Sequence, residues 1–245
     1  MPASLWISVA TAVITGAFAL IVFARYLAKR RSHLLAWSVG LALYSLGTAA
    51  QVVLFDQFNE AVFKFWYWAG ALAVAPWLGQ GTVFLLVRKG KRAWASFWLV
   101  LALSVVSLGF VLASSIDAAA FQPGVDLSAQ FGDLFAATGA ARAVRTILAI
   151  VMNTYGTILL VGGAVYSAYL FWRKRVLLHR VVGNVFIAAG GMLPALGGTL
   201  ILLGNPDLKY IAQLVGGVLL FAGFLIATQG APVPSNQPAR APRRA

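Results

Sequence analysis

Few side chains in this sequence can do chemistry. Histidine occurs twice, at His33 and His179, and cysteine does not occur. The lack of cysteine excludes disulfides, iron–sulfur clusters and thiolate metal sites. Two histidines at similar depth could supply axial haem ligands. Each, however, follows Arg and Lys at the start of an apolar stretch, where an interfacial histidine is the ordinary reading, so no cofactor is expected. A retinal Schiff base needs a lysine deep in a bundle, whereas Lys64 and Lys209 stand at the ends of apolar stretches. There is no HExxH, GxSxG or P-loop pattern, and no carboxylate is placed to work with a histidine. The chemistry points away from an enzyme.

The remaining candidates are uncharged. Tyr44, Pro76, Trp77 and Pro194 fall near the middle of their apolar stretches. At about 1.5 Å per residue, Gln51, Asn153 and Gln213 each lie roughly 10 Å outward from those centres, with Tyr155 close to the same layer. Gln80 follows Trp77 at i+3 and shares its helical face. Two readings stay open. The amides could line an outward-facing cavity in which Tyr44, Gln51, Trp77, Gln80, Asn153, Tyr155 and Gln213 bind a ligand. They could equally hydrogen-bond across helices. In the sharper form, Trp77 and Tyr44 face one cavity closed by a kink at Pro76 and open toward the three amides. Pro76 and Pro194 are the candidate hinges.

These residues must be held by membrane helices. Hydrophobic residues make up 61% of the 245, and charged residues 10%, against roughly a quarter charged in soluble domains. Seven stretches approach the roughly 20 apolar residues that cross a bilayer. They cover about 5–24, 34–55, 65–87, 94–114, 146–172, 181–203 and 210–229, and none contains a charged residue. The expected fold is all-α, a polytopic seven-helix bundle over 1–229. The first stretch is read as an uncleaved span, because its positive residues follow the apolar core rather than precede it.

Basic residues cluster after the first span (Arg25, Lys29, Arg30, Arg31), after the third (Arg88, Lys89, Lys91, Arg92), after the fifth (Arg173, Lys174, Arg175, Arg180) and in the tail (Arg240, Arg243, Arg244). The four others are Lys64, Arg142, Arg145 and Lys209. All six acids, Asp56, Glu60, Asp117, Asp126, Asp133 and Asp207, lie at the opposite ends. The positive-inside rule then places the amino terminus outside and the carboxyl terminus in the cytoplasm. The net charge of +13 is thus a topology signal. Its expected partners are the bilayer and anionic headgroups at the cytoplasmic face, not nucleic acid.

The long outer loop, 115–145, has a Gln-Pro-Gly turn at Gln122, Pro123 and Gly124. Leu127, Phe131, Leu134 and Phe135 then share one helical face. A short amphipathic helix is expected there, capping the bundle or resting in headgroups. Residues 230–245 contain four prolines and read as a disordered basic cytoplasmic tail. With no output domain in view, signalling would go through a membrane or cytoplasmic protein partner.

A basic run followed by histidine opens both the second span (Arg30, Arg31, His33) and the sixth (Lys174, Arg175, His179). This suggests a three-plus-one-plus-three arrangement with the fourth helix as connector. Parallel repeats of that kind occur in sugar facilitators, from which this chain departs by lacking proline in its first and fifth spans.

A resemblance is carried by His33, Ala36 and Trp37, by Phe65, Ala69, Gly70 and Ala71, and by Pro76, Trp77, Leu78, Gly79, Gly81 and the run Thr82–Leu86. Asn184, Ile187, Ala188 and Gly190 add to it, as do Phe221, Ala222, Gly223, Phe224 and Leu225. In these positions the chain resembles a family of bacterial seven-helix integral membrane proteins without assigned activity. More distantly it is similar to the seven-helix sensory region that opens some histidine kinases. The resemblance implies a multi-pass protein of the bacterial plasma (inner) membrane. The functional expectation is a non-enzymatic, sensor-like module binding a ligand or lipid. A passive facilitator of a small neutral solute and a membrane scaffold are the alternatives.

Overall fold

The computed structural model describes residues 3–87, 90–136, 139–175, 177–197 and 206–229. The expected tail and the outer end of the sixth expected span lie outside them. The described residues form helices α1 (Ala3–Lys29), α2 (Ser32–Val53), α3 (Glu60–Leu86), α4 (Gly90–Ala113), a short α5 (Leu127–Leu134), α6 (Gly139–Arg173), α7 (Leu178–Ala195) and α8 (Pro206–Ala227). Six of them, α1, α2, α3, α4, α6 and α8, are long and apolar enough to cross a membrane. The sixth expected span is α7. Its 18 described residues open with Leu178, His179 and Arg180 and include Asn184.

The chain turns tightly at the basic ends. Arg30 joins α1 to α2, and Arg175 and Leu177 join α6 to α7, all with φ near +50° to +57°. Asn59 starts α3, its side chain accepting from Val62 N–H at 3.0 Å. That bond satisfies one of the free N–H groups of the first turn.

Helix α3 is not regular. Tyr67–Ala73 is a π-helical segment, and Pro76 falls in the first turn of the α-helix that resumes at Val74. A proline there removes a donor from an i→i−5 or i→i−4 ladder and leaves a carbonyl free. Asn153 of α6 donates to one such carbonyl, Ala71 O, at 2.6 Å. The break expected at Pro76 is therefore a π turn repaired from the neighbouring helix. Helix α6 carries its own π turn at Ile158–Gly162. The two irregular helices cross with Gly79 against Gly156, where an added Cβ at either position would meet the other helix's backbone.

The packing closes a ring. Helix α1 packs on α2, α2 on α3, α3 on α6, α6 on α7, α7 on α8, and α8 on α1. Helix α4 packs on α3 and α6 from outside. The outward faces are apolar, with Val13, Leu20, Trp98, Val105, Ile158 and Trp172 each more than half exposed, as a bilayer-facing surface requires.

One interval relates several positions of the ring's two triplets, α1 to α3 and α6 to α8: it separates the start of α2 at Ser32 from that of α7 at Leu178. The same interval relates His33 to His179, Leu41 to Ile187 and Leu78 to Phe224. It also relates two contacts. Trp37 lies against Gly81, and Gly183 lies against Ala227, each glycine leaving no room for a Cβ. Helix α4 lies outside the ring, where a connector between the triplets belongs.

Candidate functional site

The uncharged polar residues named above do not share one cavity. Tyr44 is 7% exposed, and its hydroxyl donates to the Gln213 carbonyl at 2.9 Å, joining α2 to α8. Gln51 Nε2 donates to Ser8 Oγ at 3.2 Å, joining α2 to α1. Asn153 caps the π turn of α3. Gln80 Nε2 donates to Ala93 O at 3.0 Å, and its Oε1 accepts from Tyr155 Oη at 2.8 Å, so one amide ties α3, α4 and α6 together. Trp77 turns out of the ring toward α4. Its Nε1 donates to Ser104 Oγ at 3.1 Å, and its ring meets Phe97 edge-on at 5.8 Å. The expectation that Tyr44 and Trp77 face a common cavity is corrected accordingly. The buried indole N–H needs an acceptor, and α4 supplies it. The amide layer works mainly as interhelical bonding. In that layer Gln213 Oε1 is buried with no partner among the described residues. Pro194 sits one residue before the described end of α7 and packs toward Gly216 of α8.

Trp37, Trp66 and Trp68 are also held by partners inside the protein. Trp37 Nε1 donates to Leu78 O at 3.0 Å, Trp68 Nε1 donates to Ser104 O at 2.9 Å, and Trp66 is buried against Phe63.

Two apolar hollows remain. A crevice of about 70 Å³ opens between α4 and α6, with Pro76, Val100, Met152 and Tyr155 among its lining. The other lies on the ring axis and is small, about 20 Å³. Phe18, Trp37, Leu41, Leu78, Leu160, Ile187, Leu220 and Phe224 line it, so all six ring helices contribute. Its lining includes the pairs Leu41 with Ile187 and Leu78 with Phe224, which are related between triplets. No polar surface reaches it. Arg25 stands at its basic end, with its guanidinium 4.7 Å from the centre of the Phe224 ring and Nη1 donating to Thr228 Oγ1 at 2.6 Å. His33 meets Trp37 edge-on at 5.6 Å nearby. These are ordinary apolar side chains, and only the repeated interval could have pointed to them in the sequence.

The opposite end is covered. Gly124, at φ +77°, takes the left-handed position of a turn after Pro123, and Val125 N–H bonds back to Gln122 O. Gln130 bonds to both the N–H and the O of Gln122. Leu127, Leu134 and Phe135 are buried, and Phe131 and Phe135 pack on Tyr67 of α3. The amphipathic helix α5 is therefore a cap on the bundle. It is pinned by Lys209 of α8, whose ammonium meets Asp126 at 2.8 Å and Ser128 Oγ at 2.6 Å. Burial alone would push the Asp126 carboxyl up. The Lys209 charge, with hydrogen bonds from Lys209, Tyr210 and the Ser128 N–H, outweighs it and holds the group below the usual carboxylate range.

No protein-family model, curated protein or solved structure matches this chain. The geometry is the ground for a functional reading.

Proposed function

We propose that the chain is a non-enzymatic, seven-span module of the bacterial inner membrane, amino terminus outside, that binds an apolar chain with an acidic head on the ring axis. Helix α7 is the seventh span. The observation that carries the reading is the axial cavity, bordered by both triplets. An occupant would touch all six ring helices and could bias how the triplets pack, which is what a sensor-like module acting through a partner protein needs. The hollow's free volume of about 20 Å³ is far below the roughly 300–1,000 Å³ of ligand pockets, so the six ring helices must part for a hydrocarbon chain to enter. The dry lining offers nothing to a sugar or other polar solute, whereas Arg25 at the mouth suits a carboxylate.

Dodecanoic acid is the probe. It should raise the thermal midpoint of the purified protein, and Leu41→Trp, which fills the cavity, should abolish that shift. An unchanged shift in Leu41→Trp would sink the reading. The paired triplets also favour a second reading, a passive facilitator. Glycerol entry into proteoliposomes faster than into protein-free liposomes would support it over the first.

A further inference from the structure

We propose that Arg145 and Tyr67 form an oxyanion site beneath the outer cap, and that it takes a phosphate group. This stands independently of any chain bound on the ring axis. Arg145 is 4% exposed, and its Nη1 is fully buried with no hydrogen-bond partner among the described residues. The guanidinium lies 4.1 Å from the centre of the Phe135 ring of the cap, and the Tyr67 hydroxyl of α3 interacts with it.

Buried charges are ordinarily paired, because an isolated one forfeits its hydration. The other buried cation of this end obeys that rule, since Lys209 has Asp126. Among the described residues the ion pairs are Lys64 with Glu60 and Lys209 with Asp126, and Arg145 belongs to neither. Beyond Tyr67, the charge that acts on it is Arg142, which is repulsive. Phe135 accounts for one face of the guanidinium, but the in-plane donor at Nη1 still needs an acceptor. A planar guanidinium with a free terminal nitrogen matches two oxygens of a phosphate or carboxylate, and a tyrosine hydroxyl beside it can donate to a third.

Depth selects phosphate. Helix α6 has 35 residues and is therefore about 52 Å long, while the hydrocarbon core is about 30 Å. Its ends must reach the headgroup layers. Arg145 lies in the second turn from Gly139, at the level where phosphodiesters are the abundant oxyanions. The phosphate could come from a lipid headgroup or from free inorganic phosphate, and the same chemistry serves both.

The full chain is purified in dodecyl maltoside, which carries no phosphate. It is then titrated with dioleoyl phosphatidylglycerol and, separately, with inorganic phosphate. Native mass spectrometry counts bound lipid, and thermal unfolding reports stabilisation. The other basic residues also attract lipid, so the readout is the difference between wild type and variant. One lipid per chain should bind at least tenfold more weakly in Arg145→Gln and several-fold more weakly in Tyr67→Phe. If inorganic phosphate stabilises wild type and neither variant, the source is free phosphate. If only the lipid does so, the source is a headgroup. Equal binding of both probes by wild type and both variants overturns the proposal. Should Arg145→Gln not fold, Tyr67→Phe decides alone, and unchanged affinity in it counts against the site.

Discussion

Trp77 holds α3 to α4, with its indole N–H on Ser104 Oγ and its ring edge-on to Phe97. The sequence places Gln51, Asn153 and Gln213 at one level, but a helix rotation of 100° per residue sends them to different neighbours. Gln51 faces α1, Asn153 faces α3, and the Gln213 backbone meets Tyr44. The mid-span position of Trp77 suggests a cavity, but Ser104 gives its N–H a partner inside the protein. Trp77→Ala should therefore destabilise the bundle by about 3–5 kcal/mol. Trp77→Phe, which forfeits the hydrogen bond and keeps most of the packing, should cost about 1 kcal/mol. Reversible unfolding of the detergent-solubilised protein by dodecyl sulfate measures both. A Trp77→Ala variant of wild-type stability would contradict the assignment to packing.

Among the elements, the long apolar helices followed from composition alone, because a chain in lipid must satisfy its backbone internally. The π turns did not. Sequence gives a proline and predicts a break, but the form of the break depends on Asn153 reaching Ala71 from another helix. The cap was half legible. Periodicity gave the apolar face of α5, but the choice between bundle and headgroups rests on Tyr67 and Phe63, which are distant in sequence, and on Lys209. The clamp yields a pH prediction. The Asp126 carboxyl is held below its ordinary value, so its ion pair contributes fully above the unfolded carboxylate value of about 3.9. The contribution is lost as pH falls through the lower folded value. Removing one member of a buried pair costs about 3–5 kcal/mol. Asp126→Asn should thus speed amide exchange in Leu127–Leu134 at neutral pH. The gap from wild type should stay constant down to about pH 5 and narrow only below about pH 4. A gap already closed at pH 6 would show that the carboxylate does not hold the cap.

For the molecule as a whole, charge asymmetry gave an orientation and the repeated basic-histidine pattern hinted at two triplets. Ring closure, the exclusion of α4 and the axial cavity needed three-dimensional packing, since apolar residues that line a void and those that fill a core read alike in sequence. The account rests on one threading. Two triplets that run in the same sense, α1 to α3 and α6 to α8, require α4 to cross the bilayer between them. In the proposed orientation the Arg25 mouth of the cavity faces the cytoplasm, and the cap with Arg145 faces outward. Reporters fused at Gly90, within the cap at Gly124 and after Gln229 test this directly. The threading predicts cytoplasmic signals at Gly90 and after Gln229 and an external one at Gly124. An external signal at Gly90, or the same side for Gly90 and Gly124, would contradict it.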